Sequence, residues 1–203
     1  MLKFIRSILL FSLIAVLCGT VLPTRNVHAL NNYPDDVALL AMDIFIEQIK
    51  NGEAGELGGI YIPEILAARV VQQPSGMDAF ISPWENVMTQ FGMAAKFGST
   101  GLLAHNYLAG RNFARLTEGQ KFFLVYGDGQ TSMFRVSEIL RFQALEPYST
   151  SSAFVDLKND STLTTTELFM KVYGRPGQVV LQTCIEADGN ASWGRLFVIA
   201  EPY

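Results

Sequence analysis

Cysteine and histidine are scarce in this chain, whose 203 residues include only two of each. Cys18 and His28 fall within the first 29 residues, so the rest of the chain has one thiol, Cys184, and one imidazole, His105. A single thiol has no internal disulfide partner, and one thiol with one imidazole is too few for a protein-only zinc site. The sequence therefore predicts neither an internal disulfide nor a zinc site, and we expect no cofactor.

Positive charge is also sparse, and no run of lysine and arginine occurs. Lys and Arg total 15 against 19 Asp and Glu, which makes the formal charge −4. Recognition of a phosphate backbone needs a concentrated basic surface, so we expect no nucleic-acid partner. Hydrophobic residues make up 49% of the chain. This composition is typical of one folded domain with a substantial core and excludes a disordered or fibrous chain.

The first 29 residues have the pattern of an export signal. Lys3 and Arg6 precede an apolar run over residues 8–22, and Val27-His28-Ala29 has the small-x-small pattern of a cleavage site. The run is shorter than the ~20 residues that a membrane-spanning helix needs, which favours cleavage over retention as an N-terminal anchor. Both outcomes predict an extracytoplasmic protein, either secreted or anchored to the outer face of the membrane.

Cleavage of this segment also changes the charge of the protein. Lys3, Arg6 and Arg25 would be removed with no acidic residue, taking the formal charge from −4 to −7. An acidic domain of this kind is not attracted to an anionic membrane surface. Membrane association is therefore expected only through a retained N-terminus.

Residues 30–59 are predicted to form a leading helix and a connector. Pro34 suits a first helical turn, apolar residues recur at helical spacing after it, and Gly52 ends the pattern. Core packing is the expected role of this helix.

Residues 60–203 are predicted to form a mainly β domain. Residues 60–72 resemble a strand interrupted by Pro63, and helices are predicted over residues 82–97 and 161–174. The second helix begins with a capping box from Thr164 to Glu167. The other predicted strands span residues 102–104, 121–126, 130–144, 153–158, 178–184 and 195–200. Short strands with turns between them indicate a barrel or sandwich with short helical insertions.

The last two predicted strands carry the residues of greatest chemical interest. Cys184 ends one strand, Arg195 begins the next, and residues 185–193 are predicted to be a loop. If the strands pair antiparallel, both side chains lie at one rim of the sheet, although the sequence leaves the register open. His105 follows a short apolar run and is expected at another strand end. An inert buried thiol and a structural histidine remain the alternatives.

These three side chains are sufficient for acyl transfer. A free thiol has a pKa near 8.5, so a neighbouring imidazole is needed to generate the nucleophilic thiolate at neutral pH. The imidazole can then protonate a leaving amine. A guanidinium stays charged and offers directed donors to the oxyanion that forms.

Four segments resemble the sortase family. Residues 180–184, Val-Leu-Gln-Thr-Cys, resemble its Thr-Leu-x-Thr-Cys signature, and residues 195–198, Arg-Leu-Phe-Val, resemble the arginine-led strand that follows. Ala104-His105 is similar to the family's Gly-His segment, and residues 113–119 are similar to the stretch after it. Val180, Ala104, Asn106 and Gln120 depart from the family pattern. Adjacent strand residues point to opposite faces, so Asn106 is not expected to orient the histidine.

The resemblance implies a closed eight-stranded β-barrel outside a bacterial membrane. It implies a cysteine transpeptidase that cuts a sorting motif near the C-terminus of a secreted protein. The acyl group would pass to Cys184 as a thioester and then to an amine of a cell-wall precursor or another protein. By this resemblance His105 transfers the proton, Arg195 positions the substrate and its oxyanion, and Thr183 lines the site.

Three matters stay open at this point. Trp193, next to Gly194, is a candidate wall of the substrate groove, with loop packing as the alternative. A thiol peptidase that hydrolyses the same intermediate would need the same three residues. An exported, non-catalytic β-barrel binding module is the remaining alternative.

Overall fold

The computed structural model describes residues 33–203, in which strands predominate. The strands are β1 (Leu57–Ile62), β2 (Leu66–Gln72), β3 (Val87–Phe91), β4 (Thr100–Leu103), β5 (Lys121–Tyr126), β6 (Thr131–Ala144), β7 (Phe154–Asp156), β8 (Thr162–Leu163), β9 (Val179–Ala187) and β10 (Asn190–Pro202). The helices are α1 (Tyr33–Ile49), α2 (Gly92–Ala95) and α3 (Thr165–Tyr173), and a 3-10 helix spans Ala109–Arg115.

Eight of the strands close into a barrel. Their order is β10-β9-β4-β3-β2-β1-β5-β6, and β6 pairs again with β10 to complete the circle. The pairs β2–β3 and β4–β9 are parallel, and the other barrel pairs are antiparallel. β7 and β8 extend the sheet from β6 outside the barrel. The predicted mainly β fold with a closed eight-stranded barrel is therefore confirmed.

The strands of the barrel alternate between an inner and an outer apolar face. Along β10, Leu196 and Val198 belong to the barrel core, whereas Phe197 and Ile199 belong to a second cluster outside it. An eight-stranded barrel is just wide enough for side chains to fill its interior. Its largest fully buried side chains include Phe113, Phe122, Ile60, Met88, Leu102 and Leu181. Arg195 has the same parity as Phe197 and therefore belongs to the outer face.

Helix α3 covers part of this outer face. The Thr164 hydroxyl accepts a hydrogen bond from the Glu167 amide at 3.2 Å, and the Glu167 carboxylate accepts one from the Thr164 amide at 2.8 Å. These two bonds satisfy backbone donors at the start of the helix and confirm the predicted capping box. Leu168 and Val172 of the helix pack with Phe197 in the outer cluster. The capped helix thus forms a wall beside the strand that carries Arg195.

Helix α1 packs on the barrel where glycines allow close approach. Phe45 and Ile49 are buried against strands β1 and β5. A Cβ atom on Gly59 would lie 2.9 Å from the Phe45 ring, so only glycine lets the helix approach this closely. A helix is present where the leading helix is predicted, and one face of it packs on the barrel. Leu40 and Ile44, two of the recurring apolar residues expected to pack, are instead 62% and 53% exposed. β1 begins at Leu57, slightly before the expected start of the barrel at residue 60.

The helix predicted over residues 82–97 is wrong. Strand β3 occupies Val87–Phe91, and only Gly92–Ala95 is helical. Val87, Phe91 and Ala94 recur at intervals of four and three residues, a spacing that also fits one face of a helix. Pairing with β2 and β4 decides the outcome. Trp84, which would belong to the apolar face of a helix over residues 82–97, is 71% exposed.

Two further boundaries differ from the sequence-based prediction. The interrupted strand over residues 60–72 is a hairpin of β1 and β2, and Glu64 turns the chain with a φ of 61°. The predicted loop over residues 185–193 is largely strand, because β9 continues to Ala187 and β10 begins at Asn190. Cross-strand pairing extends the ladder to a tight turn at Asp188-Gly189, a turn-forming sequence. The sequence indicates this turn but not the length of the strands on either side of it.

The predicted export signal, residues 1–29, lies outside the described residues. Within residues 33–203, no helix is both long enough and apolar enough to cross a membrane.

Candidate active site

Cys184 and Arg195 are direct partners in the β9–β10 ladder. Residues opposite each other in an antiparallel pair project from the same face of the sheet. Val180 on β9 and Phe197 on β10 have the same parity and lie in the outer cluster. The register that the sequence leaves open thus brings the thiol and the guanidinium together on the outer face. Cys184 is a free, half-buried cysteine.

His105 reaches the same end of the sheet through the parallel pairing of β4 with β9. Leu103 pairs with Gln182, and the Ala104 amide donates to the Gln182 carbonyl at 3.1 Å. Two residues beyond this pair, the chains reach His105 and Cys184. The His105 ring is half-buried and stacks on Tyr107 with 5.1 Å between ring centroids. Three distant parts of the sequence therefore meet at one end of neighbouring strands.

The guanidinium of Arg195 is held by backbone carbonyls. Its Nη1 donates to Ser192 O at 2.9 Å and to Gly194 O at 2.8 Å. Its Nη2 donates to Pro147 O at 3.3 Å. A guanidinium has five N–H donors, so two remain after these three bonds. Within residues 33–203, Arg195 has no carboxylate partner, so no acidic side chain of this part of the chain neutralises its charge.

The β6–β7 loop crosses to the β9–β10 hairpin and holds it in place. Besides the bond from Arg195 to Pro147, the Tyr148 hydroxyl donates to Asn190 Oδ1 at 3.2 Å. Tyr148 is otherwise 83% exposed. The loop and the hairpin are thus joined at two points, one of which is the guanidinium itself.

The segment that carries His105 is also tied to its surroundings. The His105 carbonyl accepts hydrogen bonds from the amides of Leu108 at 3.0 Å and Gly110 at 3.1 Å. Asn106 Nδ2 donates to Ala191 O of the β9–β10 hairpin at 3.0 Å. Asn106 therefore fastens the histidine segment to the strand pair that carries the thiol and the guanidinium.

We predict that Gly110→Ala displaces this segment. An added Cβ would lie 2.3 Å from Thr183 Oγ1 and 2.7 Å from His105 O, so the backbone must move. We expect a loss of about 1–3 kcal/mol in the free energy of unfolding, as for other overpacked sites, and a larger relative loss of activity. Denaturant unfolding and peptide turnover measure the two effects. Gly92→Ala is the control, because its Cβ makes only an ordinary 3.6 Å contact with Gln73. Equal activity of both variants would contradict the prediction.

One cavity is lined by Arg195 and another by Cys184, and His105 lines neither of them. The outer cavity, of about 180 Å³, lies between α3 and the sheet. The mouth cavity, of about 340 Å³, lies at the end of the barrel and includes Cys184. The outer cavity is lined by Phe91, Phe154, Thr165, Leu168, Phe169, Val172, Tyr173, Gln182, Arg195 and Phe197. The mouth cavity is lined by Asn106, Gly110, Arg111, Ala114, Arg141, Leu157, Thr183, Cys184, Ile185, Glu186 and Leu196.

The outer cavity is an apolar space with one oriented amide. The Tyr173 hydroxyl donates to Gln182 Oε1, and burial raises the pKa of Tyr173, which keeps the phenol neutral. Gln182 has the same strand parity as Cys184 and precedes it by two residues. A substrate chain that follows this face would therefore meet an apolar surface and a fixed amide before it reaches the thiol.

Thr183 and Trp193 occupy less accessible positions than Cys184. Thr183 pairs with Leu196 of the barrel core and is 5% exposed, although it also lines the mouth cavity. Trp193 is half-buried in the irregular stretch of β10 between Asn190 and Gly194. It does not line either of the two cavities formed by the described residues. The roles of Thr183 and Trp193 in substrate binding stay predictions.

Sequence reasoning missed Pro147, Gly110 and Tyr173. Pro147 contributes a backbone carbonyl, and a backbone contact cannot be recognised from the residue type. Gly110 follows the histidine by five residues, and only the close approach of Thr183 makes its lack of a side chain matter. Tyr173 lies in the predicted second helix, where it would have been assigned to the core. Each needs tertiary contacts to be recognised.

Comparison with known proteins finds similarity among solved structures. Sortase C-1 from Actinomyces oris is 16% identical, with 79% of each chain covered and a TM-score of 0.49. Sortase C1 from Streptococcus suis is 14% identical, with 83% of this chain and 82% of that chain covered and a TM-score of 0.49. Sortase A from Corynebacterium diphtheriae is 13% identical, with 83% of each chain covered and a TM-score of 0.48. No protein-family model and no curated protein matches the chain. These three solved structures are sortases, the family whose motifs the sequence resembles.

Proposed function

We propose that the protein is an exported cysteine transpeptidase of the sortase type. It cuts a sorting motif near the C-terminus of a secreted protein and transfers the acyl group to an amine of a cell-wall precursor or another protein. Cys184 is the nucleophile, His105 transfers the proton and Arg195 stabilises the oxyanion. The enzyme acts outside the cytoplasm, where the predicted export signal would deliver it.

The first half-reaction forms a thioester. The thiol proton passes to His105, and the Cys184 sulfur attacks the peptide carbonyl to give a tetrahedral oxyanion. The N–H groups of Arg195 that its backbone partners leave unused can donate to this oxyanion. The C–N bond then breaks, and the leaving amine takes the proton from His105.

The second half-reaction transfers the acyl group. The acceptor nitrogen attacks the thioester carbonyl, Arg195 again faces the oxyanion, and the C–S bond breaks. The proton lost by the acceptor passes to His105 and restores the thiol on Cys184. If water replaces the amine, the same steps release a carboxylic acid.

The observation that carries this proposal is the direct pairing of Cys184 with Arg195 on the outer face. An inert core cysteine would be fully buried, as Leu181 is in the barrel and Val180 is in the outer cluster. Cys184 is instead half-buried and lies opposite Arg195, which has no carboxylate partner within residues 33–203. Strand β4, which ends two residues before His105, pairs with β9. Helix α3 and the sheet enclose the outer cavity on the same face.

Hydroxylamine trapping tests thioester formation. The protein is incubated with labelled peptides from secreted proteins that end in an apolar segment and a basic tail, with and without hydroxylamine. We expect cleavage at one motif and a hydroxamate product, since hydroxylamine resolves a thioester directly. Failure to form a hydroxamate or a covalent peptide adduct across the peptide set would overturn the proposal and favour a binding module.

Amine transfer separates a transpeptidase from a peptidase. The same peptides are incubated with glycine, triglycine or meso-diaminopimelate, and the products are identified by mass. We expect an amide product from at least one amine. Release of only the hydrolysed acid in every reaction would assign the chain to the thiol peptidases instead.

A further inference from the structure

The mouth cavity differs in charge from the apolar outer cavity. Besides Cys184, it is lined by two arginines, Arg111 and Arg141, and by Glu186. Both cavities reach the reacting end of the sheet, but only the outer one follows the apolar face beside Arg195. A peptide bound along the outer face would not occupy the mouth cavity, which is therefore free to bind the second reactant.

Arg141 supplies an uncommitted positive charge in this cavity. It lies on β6 opposite Leu196, the residue after Arg195, so it stands at the same end of the barrel. Within residues 33–203 its guanidinium has no hydrogen-bond or ion-pair partner. Arg111, by contrast, is paired with Glu85. The five donors of Arg141 are therefore available to a ligand.

An adjoining cavity of about 310 Å³ is also lined by basic residues, Arg141 and Lys158. This cavity shares Arg141 and Leu157 with the mouth cavity and adds Lys158 and Asp156. Asp156 is already paired with Lys171 at 3.6 Å. Arg141, in the cavity that Cys184 lines, and Lys158, in the adjoining one, have no ion-pair partner within residues 33–203, so they attract an anionic group even in a chain whose formal charge is −4.

Thr183 gives independent evidence for a polar ligand. Its Oγ1 is buried and has no hydrogen-bond partner in the described part of the chain, and the residue lines the mouth cavity. A buried hydroxyl without a partner is unfavourable, so a polar group that reached it would be held there. Glu186, three residues after Thr183 on β9, provides a carboxylate in the same cavity.

We propose that the mouth cavity binds the acceptor, and that this acceptor is an amine that also carries a carboxylate. This inference rests on the proposed function. Arg141 binds the acceptor carboxylate through its planar guanidinium, and the Glu186 carboxylate binds the amino group of the acceptor. The acceptor nitrogen forms the new C–N bond, the C–S bond to Cys184 breaks, and the amine proton passes through His105 to the sulfur.

Acceptor competition tests the assignment. Transfer of a labelled acyl group from the Cys184 thioester is measured with glycine and with glycinamide, which differ only in the carboxylate. Because the two amines differ in basicity, the readout is the ratio of their kcat/KM values in each variant. We expect Arg141→Gln to lower the glycine-to-glycinamide ratio about 5- to 10-fold, the size of one charge-assisted contact, and Arg141→Lys to restore part of it.

Arg69→Gln is the matched control, since Arg69 is an exposed arginine on β2 that does not line the cavity. We expect it to keep the wild-type ratio. An unchanged ratio in Arg141→Gln, or an equal fall in Arg69→Gln, would overturn the inference. Hydroxamate formation from the same thioester is measured in parallel. If it persists while the ratio does not respond, the acceptor site is wrong and the proposed function stands. If it is absent in the wild type, the proposed function itself fails.

Discussion

Replacement of Cys184 by alanine is expected to abolish both peptide cleavage and acyl transfer, with a fall in kcat of at least about 10³-fold. The sulfur forms the covalent intermediate, and Cys184 is the only cysteine that the structure describes. Intact-mass measurement after incubation with a sorting peptide gives the direct readout. The wild type should gain the mass of the acyl fragment, and the alanine variant should not.

Two controls separate loss of the nucleophile from loss of the fold. Cys184 is half-buried on the outer face, so the alanine variant should keep a cooperative thermal unfolding transition. Cys184→Ser keeps the size of the side chain but replaces the thiol by a far weaker acid, and we expect it to be nearly as inactive. Wild-type turnover by Cys184→Ala would exclude the transpeptidase and the peptidase together.

The sequence predicted those parts of the fold that depend on local chemistry. The Thr164–Glu167 capping box needs only residues three apart, and α3 begins where that pattern places it. The strands that carry Cys184 and Arg195 were recognisable from their β-branched and aromatic composition, and a turn between them implied antiparallel pairing. Topology then places His105 beside them, because β4 runs parallel to β9.

The parts of the fold and of the candidate site that the sequence does not predict depend on contacts between distant segments. A one-residue change in register would send Cys184 into the barrel, and local sequence does not encode that choice. Residues 87–91 form a strand because they pair with β2 on one side and with β4 on the other. The hydrogen bond from Arg195 to the Pro147 carbonyl joins residues that are 48 positions apart. No pattern of side chains in the sequence predicts it.

The geometry of Arg195 leads to a second large expected effect, in Arg195→Lys. The guanidinium bridges the β9–β10 hairpin and the β6–β7 loop, bonding Ser192 O and Gly194 O through Nη1 and Pro147 O through Nη2. An ammonium is a single donor centre, so it cannot span these carbonyls and still direct a hydrogen bond to the oxyanion. Loss of one oxyanion donor costs about 10²–10³-fold in kcat in a well-studied hydrolase. We expect kcat/KM to fall by about 10²-fold or more, with stability little changed.

Arg135→Lys is the matched control for this variant. Arg135 lies on β6, is exposed, and pairs with Glu201 at 2.7 Å on the surface, where lysine can replace it at little cost. Limited proteolysis of the β6–β7 loop then distinguishes the two roles of Arg195, which are to hold this loop and to stabilise the oxyanion. If Arg195 holds the loop, the lysine variant should be cut faster near Pro147, whereas the control should not. Slow turnover with unchanged proteolysis would assign the defect to the oxyanion alone, because the loop would then be held without the guanidinium. Full activity of Arg195→Lys would remove this residue from the mechanism and leave the Cys184–Arg195 pairing as a structural contact.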